Sequence, residues 1–252
     1  MKKYIFIITV LIISALSINA APANKVLTAG ETLSYSLNMG PIKGGDAYLK
    51  TTAIKYGGKD AFKITLIAKT GKAAEKIFPM LDTLETIITP DIIPLYFHKH
   101  CFEGDDIVYE TAKFSTLPGN KYRAELMKRY KNGRVKTLDS TFTKPVYDLV
   151  SIIAVARTMD TRNMQKGKKF SYMLAESAEI VNETLVFEGR ETIRTGGSKY
   201  DCLAFSLIEK RTEKGSTTEK EILKIYVTDD TRHIPVQIEI GLKFGKVKVK
   251  LQ

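Results

Sequence analysis

The chain has 252 residues, 39 Lys and Arg, 28 Asp and Glu, and a formal net charge of +11. This length suffices for one substantial hydrophobic core. With two cysteines and no CxxC pair, a zinc cluster or a dithiol redox enzyme has little support. The basic residues form no dense block. Their charge suits an anionic neighbour such as phospholipid headgroups, but lysines scattered along strand faces are also the ordinary solvent cover of a sheet.

The first twenty residues have the pattern of a secretory signal peptide. Lys2 and Lys3 precede an apolar run over 4–16, and small residues follow it. The run is shorter than the roughly 20 residues of a membrane-spanning helix. We therefore predict a signal peptide over 1–20 with cleavage after Ala20, export to the periplasm and no nucleic-acid partner. Cleavage after Ala23 is the second choice.

The remaining residues, 21–252, are predicted to form a single β-rich domain with a net charge of +9, because the first twenty hold two lysines and no acidic residue. Alternation of apolar and polar residues begins with Leu33, Tyr35 and Leu37 and is typical of half-buried strands. Asn132-Gly133 is the best hairpin turn, and 72–78 is a possible short helix. Further strands are predicted near 47–53, 62–68, 81–89, 93–102, 105–116, 120–130, 134–142, 168–176, 184–194, 199–211, 218–228, 233–243 and 245–251.

One segment has the period of a helix. Pro145 suits a first helical turn, and apolar residues from Val146 to Met159 cover most of the helical circumference, which is typical of a buried helix. We predict a mainly β fold, an antiparallel curved sheet or half-open barrel, with one buried central helix at about 145–160. Lysines crowd the strands and the chain has no Trp, so an outer-membrane barrel is not expected and the protein is predicted not to span a membrane.

The sequence contains no recognisable catalytic grouping. His98 and His100 lie two residues apart in a strand and share a face, but two imidazoles without further ligands are ordinarily surface residues. Asp229 and Asp230 lie between two apolar strands, where aspartates favour a tight turn over acid–base chemistry. We therefore predict no catalytic residue, no metal ligand and no cofactor. Export would permit a disulfide between Cys101 and Cys202; two separate buried thiols are the alternative.

Five stretches together resemble an uncharacterised bacterial family, domain of unknown function 3108. They are GETLSY from Gly30, GPIKGGDA from Gly40, VYDLVS from Val146, KYDC from Lys199 and VTDDTRHIPV from Val227. The family implies no activity that could be transferred. A more distant likeness of fold links the chain to periplasmic carriers of lipoproteins and lipids, in which an incomplete barrel encloses a helix and holds acyl chains.

These observations lead to one main functional hypothesis and two alternatives. The main hypothesis is a non-catalytic periplasmic protein that binds an apolar or lipid-like envelope ligand inside the half-barrel. The alternatives are an envelope protein-interaction or structural factor without a small ligand, and a hydrolase of an envelope polymer. Residues predicted to line the apolar cavity are Tyr35, Leu37, Leu66, Tyr96, Leu149, Ile153, Phe187 and Phe205.

Overall fold

The computed structural model describes residues 26–76, 78–213, 216–242 and 245–252. The predicted signal peptide and its cleavage after Ala20 lie outside these residues. Within them, fifteen strands form one sheet that curves into a nearly closed barrel with a single seam, accompanied by two helices. The prediction of a mainly β, barrel-like fold is confirmed.

The strands follow one another along the chain with short connections. In the first half they are β1 (Thr32–Met39), β2 (Ile42–Tyr56), β3 (Lys59–Thr70), β4 (Met80–Ile88), β5 (Pro94–Glu103), β6 (Asp106–Leu117), β7 (Lys121–Tyr130) and β8 (Val135–Phe142). In the second half they are β9 (Val146–Tyr147), β10 (Lys169–Glu176), β11 (Glu179–Thr195), β12 (Ser198–Glu213), β13 (Ser216–Thr228), β14 (Pro235–Leu242) and β15 (Gly245–Leu251). The helices are α1 (Lys72–Glu75) and α2 (Leu149–Thr158).

The sheet is built as two antiparallel meanders. Strands β1 to β8 pair in sequence order, β10 to β15 do the same, and β1 pairs with β15 to join the two sets. The short contact between β9 and β10 is parallel. The turn predicted at Asn132-Gly133 joins β7 to β8, with Gly133 at a φ of 81°. Sequence-adjacent antiparallel pairs of this kind need only short turns.

Turns between antiparallel neighbours alternate between the two ends of the barrel. We call the end with the β1–β2, β3–β4, β5–β6 and β7–β8 connections the rim end. Three hydrogen bonds join these connections in order: Gly71 N donates to Gly44 O at 2.8 Å, Gly104 N to Pro79 O at 2.7 Å, and Lys131 Nζ to Asp105 O at 2.6 Å. The rim is therefore one continuous surface. We call the opposite end the helix end.

The seam lies between β8 and the edge formed by β9 and β10. Side chains bridge it: Lys136 on β8 pairs with Glu179 on β11, and Lys128 Nζ lies 2.9 Å from Ser177 Oγ. Glu110 accepts a hydrogen bond from Ser177 N at 3.1 Å and also pairs with Lys128. The next residue, Ala178, is buried in the core. The barrel is thus closed here by ion pairs and a docked β10–β11 turn.

Helix α2 begins at a buried cap. The Asp148 carboxylate accepts hydrogen bonds at 2.9 Å from the backbone N–H groups of Val150 and Ser151, and the Ser151 hydroxyl accepts from Asp148 N. Thr86 on β4 donates to the other carboxylate oxygen at 2.8 Å. Because Asp148 is fully buried, desolvation raises its pKa to about 6. The cap satisfies orphan helix donors and fixes the helix to the barrel wall.

The other end of α2 is held by a buried ion pair. The guanidinium of Arg157 binds both carboxylate oxygens of Glu31, at 2.7 and 3.1 Å. The same group donates to the carbonyls of His233 and Arg232. The Arg157 side chain is 2% exposed and that of Glu31 is 8% exposed. This bidentate geometry ties the helix to the segment before β1 and to the β13–β14 turn.

The core is formed by the inward strand faces and most of the surface of α2. Buried and partly exposed residues alternate along the strands, as period-2 patterning requires. Within α2, Val150 to Arg157 are all buried. The prediction of a buried central helix is confirmed. Its start needs correction: Val146 and Tyr147 form β9, because Asp148 caps the helix at its N-terminus. The short helix predicted at 72–78 is present as α1, four residues long.

The raised pKa of Asp148 predicts a pH-dependent stability. Between its unfolded pKa near 4 and its folded pKa of about 6, the folded state binds more protons, so the free energy of unfolding falls as pH rises. Asn at this position keeps an oxygen acceptor but cannot ionise. From pH 4 to pH 7 we expect Asp148→Asn to gain roughly 2 kcal/mol relative to the parent protein. Urea unfolding of both proteins across this range measures the difference, and a pH-independent difference would contradict the prediction.

The Arg157 network predicts a large cost for a substitution that keeps the charge. A lysine cannot reproduce the two-pronged contact with Glu31 together with both carbonyl contacts. Because the charge remains and buried charged hydrogen bonds are lost, we expect Arg157→Lys to lower the free energy of unfolding by roughly 1.5–3 kcal/mol. The control is Arg162→Lys, whose side chain is 86% exposed and should cost less than about 0.5 kcal/mol. Similar costs in the two variants would mean that the buried network does not hold the helix.

Candidate functional site

Most of the residues predicted to line an apolar cavity do share the interior. Tyr35, Leu37, Ile153, Phe187 and Phe205 are buried in the main core. The rings of Phe187 and Phe205 are in contact, with centroids 5.3 Å apart. Tyr35 also donates from its hydroxyl to Pro235 O at 2.9 Å. All five belong to one buried cluster that also includes most of α2, so their contacts are those of a packed core.

Three residues of the predicted cavity set lie elsewhere or at its border. Leu66 is partly buried against the core. Tyr96 lies on the outer face of β5, because its neighbour Phe97 is buried in the core and successive residues of a strand point to opposite faces. Leu149 is the first residue of α2 and is 36% exposed. Tyr96 and Leu149 therefore do not line the interior, which corrects the face assigned to each from the sequence.

Two pockets lie in the described part of the chain, and neither includes a residue of α2. One is a cavity of about 10 Å³ near the seam, lined by residues that include Phe114, Tyr122 and Val146. This volume is about that of a single water site. The other is an open groove of about 420 Å³ formed by polar and apolar side chains between Asp160 and Phe170. Neither pocket is an enclosed apolar cavity beside the helix.

An acidic cluster that the sequence analysis missed lies on the inner face near the rim. Ligand atoms of Asp82, Cys101 and Glu103 lie within 4.8 Å of one another. Burial, with the nearby Glu103, raises the pKa of Asp82 to about 7, and burial raises the pKa of Cys101 to about 12. The thiol is therefore protonated at neutral pH and is a poor nucleophile. The three groups could hold a metal only by losing that proton, and Lys99 adds a competing positive charge.

This cluster was hidden in the sequence because its members come from two strands. Asp82 on β4 pairs with Cys101 on β5, and Glu103 lies two residues further along the same face. In the sequence, the trace of this cluster is the spacing of Cys101 and Glu103, two residues apart on one strand.

Cys101 and Cys202 are both free and buried. Cys101 belongs to the main core, whereas Cys202 lies in a second, smaller cluster, so the alternative of two separate buried thiols applies.

The two histidines share the outer face of β5, as their spacing predicts. The ring centroids of His98 and His100 are 6.3 Å apart, and Tyr109 on β6 contacts both rings at 5.1 and 5.8 Å. Burial lowers the pKa of His98.

At the β13–β14 turn, Asp230 accepts hydrogen bonds from the backbone N–H groups of Arg232 and His233. That bonding pattern is the predicted turn role.

Exposed apolar side chains are concentrated at the rim end. Among the described residues, eleven large apolar side chains are exposed. Nine lie in the rim-end connections or the adjoining halves of their strands, and only Tyr56 and Leu149 lie at the helix end. The nine residues, which we call the apolar rim, are Met39, Ile42, Tyr48, Ile67, Phe78, Leu81, Phe102, Ile107 and Val135.

Strand pairing makes much of this set contiguous. Leu81 pairs with Phe102, and Phe102 pairs with Ile107 on the next strand. Tyr48 pairs with Ile67 in the same way. The side chains of directly paired residues lie side by side on one face of a sheet. The apolar rim therefore includes rows of neighbouring side chains across β2 to β6, and an exposed patch of this kind is typical of an interaction surface.

Exposed lysines flank one part of the rim. Lys69, Lys72 and Lys76 are exposed around α1, with Glu75 among them, and Asp46 pairs with Lys69 in the β2–β3 ladder. Lys69 pairs directly with Leu81 in the β3–β4 ladder. The β3–β4 connection thus places apolar and positively charged groups side by side.

In the described part of the chain, neither helix has the length and hydropathy needed to cross a bilayer.

Comparison with known proteins agrees with the resemblance noted in the sequence. The chain is similar to a solved structure, a β-barrel-like protein of domain of unknown function DUF1849 from Brucella abortus, with a TM-score of 0.50 and 14% identity over 90% of this chain and 97% of that chain. At this identity the similarity concerns the fold alone. No curated protein matches the chain. The family described as a protein of unknown function, DUF3108, matches residues 34–252; the chain belongs to this family.

Proposed function

We propose that this chain is an exported, non-catalytic protein of the cell envelope that acts by docking its apolar rim on an envelope component. The observation that carries the proposal is the concentration of exposed apolar side chains at one end of the barrel. The signal-peptide pattern of residues 1–20 supports export to the periplasm. The barrel then serves as a rigid support for an external binding surface.

An internal apolar ligand fits the structure less well. Pockets for small ligands usually enclose about 300–1,000 Å³ with mostly apolar walls. Here the cavity near the seam has about 10 Å³, and the larger groove is open and lies outside α2. Side chains that were expected to line a cavity, such as Ile153 and Phe187, are instead packed within the core. The interaction alternative is therefore the better account.

The hydrolase alternative lacks an assembled site. His98 and His100 lie on the outer face of the sheet, in contact with Tyr109. The acidic cluster on the inner face contains no histidine, and the raised pKa of Cys101 keeps its thiol protonated. General acid–base or nucleophilic catalysis requires such groups within hydrogen-bond reach of one another. The described arrangement keeps the histidines and this cluster on opposite faces.

The packed interior predicts the response to a cavity-forming substitution. We expect Ile153→Ala, at a site that is 4% exposed, to lower the free energy of unfolding by about 2–5 kcal/mol. Leu149→Ala on the same helix is the control; because Leu149 is 36% exposed, its cost should be less than half as large. Native mass spectrometry and uptake of a fluorescent fatty acid accompany the unfolding measurements. A negligible cost at Ile153 together with fatty-acid uptake would restore the internal-ligand hypothesis.

The docking function is tested on envelope fragments. Purified protein lacking residues 1–20 is mixed with washed envelope fragments and sedimented. We expect the parent protein to co-sediment and Phe102→Ser/Ile107→Ser to lose most of the bound fraction. Tyr56→Ser is the control, since Tyr56 is 37% exposed at the helix end and Phe102 is 39% exposed at the rim. Unchanged melting temperatures establish that the variants are folded. Equal retention of all three proteins would rule out the rim as the docking surface.

A further inference from the structure

We propose that the far part of the β11–β12 hairpin, residues 189–201, opens and closes on the outer wall of the barrel as a unit, while the barrel itself stays folded. We call this segment the strap. In its closed position the strap covers an apolar cluster that contains the free thiol of Cys202. The strap lies at the helix end of the molecule, so this inference is independent of docking at the rim.

The cluster under the strap lies on the outer face of the sheet. Leu203 and Phe205 on β12 belong to the main core. Because successive residues of a strand point to opposite faces, Cys202 and Ala204 face outward. Tyr226 pairs directly with Ala204 and lies on the same face. Cys202 and Ala204 are nevertheless 0% exposed and Tyr226 is 5% exposed, so this part of the outer wall is covered.

The strap provides the cover. Its residues Ile193 and Tyr200 pair with each other and pack against the outer cluster. Near the tip of the strap, the Thr195 hydroxyl donates to Leu251 O, at the end of β15, at 2.8 Å. In the sheet, β13 and β14 lie between β12 and β15. The hairpin therefore bends across the ends of two strands to reach this contact.

The bend begins where both strands of the hairpin leave the barrel ladder. The register of β11 against β12 shifts between Phe187 and Gly189, and Gly189 has a φ of 99°. Glycine at a bulge adopts such angles without the steric cost that a side chain would add. On β12, the ladder to β13 ends with the pair of Cys202 and Thr228, whereas residues 198–201 pair only with β11. The strap can therefore pivot without breaking the barrel ladder.

Few contacts hold the strap closed, and those made by side chains are at the surface. Arg190 Nε lies 2.7 Å from Asp229 Oδ2, and Lys224 Nζ lies 3.0 Å from Glu191 Oε1. Asp229 N also donates to Asp201 O at 2.8 Å. The side chains of Arg190 and Glu191 are 51% and 42% exposed, so water weakens both ion pairs. Segments with a small apolar contact and exposed polar contacts open at a lower free energy than the whole domain.

The strap is attached to the same turn that anchors the central helix. Asp229 belongs to the β13–β14 turn, whose Arg232 and His233 carbonyls accept hydrogen bonds from Arg157 of α2. Arg190 contacts this turn from the strap through Asp229. One turn therefore carries both the closed strap and the C-terminal anchor of α2.

The two free thiols provide a probe and an internal control for the test. Cys202 belongs to the outer cluster, whereas Cys101 belongs to the main core. Folded protein lacking residues 1–20 is incubated with excess N-ethylmaleimide, and peptide mass spectrometry follows the labelled fraction of each cysteine separately. We expect labelling at Cys202 to be faster than at Cys101 by about tenfold or more. Below the unfolding transition, urea should hardly change the rate at Cys202, because local opening exposes little surface.

Variants of the strap and of the core separate local opening from global unfolding. Thr195→Val removes the hydrogen bond to Leu251 O and should speed labelling at Cys202 by about fivefold. Arg190→Gln removes an exposed ion pair and should speed it by about two- to threefold. Ile153→Ala destabilises the folded barrel whether the strap is open or closed. It should therefore speed labelling at Cys101 and leave the rate at Cys202 unchanged.

Matched controls lie on the far side of the sheet. Thr141→Val changes an exposed threonine of β8. Arg123→Gln removes an exposed ion pair with Asp139, which links β7 to β8 as the Arg190 pair links the strap to its turn. Neither substitution should alter the rate at Cys202.

Three results would each overturn the inference. The first is labelling of both thiols in the parent protein at the same rate and with the same dependence on urea, a comparison that needs no variant. The second is an equal acceleration of Cys202 and Cys101 by Ile153→Ala, which would mean that Cys202 is reached only through global unfolding. The third is an unchanged rate at Cys202 in Thr195→Val and Arg190→Gln, which would mean that the strap does not control access to it.

Discussion

The ion pair between Arg157 and Glu31 is the contact on which the interior of the barrel depends. A buried arginine is tolerated only where its charge and its N–H groups are satisfied. Here the Glu31 carboxylate and the carbonyls of His233 and Arg232 together provide those partners. The partners come from the segment before β1 and the β13–β14 turn, which are distant in sequence. The pair therefore fixes where the C-terminal end of α2 lies within the sheet.

At its N-terminus the same helix is fixed by a charge of opposite sign. Asp148 lies against the positive end of the helix dipole and Arg157 against the negative end, so each favours its own terminus. Burial raises the pKa of Asp148 to about 6, so its ionised form carries a cost near neutral pH. A helix of ten residues is marginal on its own. Charged groups at both ends and an apolar body between them specify a single position for α2, even though the sheet around it is closed across one seam by ion pairs and the docked β10–β11 turn.

Local patterns predicted most of the fold. Alternation along segments such as Leu33 to Leu37 identified strands, and the near-continuous apolar surface of 146–159 identified a buried helix. The start of that helix was misplaced because Val146 and Tyr147 are apolar in either a strand or a helix, and only the bonds to Asp148 decide the boundary. The prediction of the residues that line a cavity was less successful. The sequence identifies which residues are apolar, but whether their side chains leave a space depends on packing across distant strands.

The apolar rim could not be predicted, because it depends on which strand ends meet. Ile42, Phe78 and Phe102 are far apart in the chain and are brought to one end by the alternation of antiparallel turns. Because these side chains are exposed, they contribute little to the stability of the fold. Burial of an apolar side chain stabilises a fold by about 25 cal/mol per Å², and a residue that is 70% exposed, as Ile42 is, gains little of that stabilisation. Helix α2 occupies the opposite end of the barrel, where apolar residues pack against it. The packing of the core therefore does not account for the apolar character of the rim, whereas contact with a second surface does.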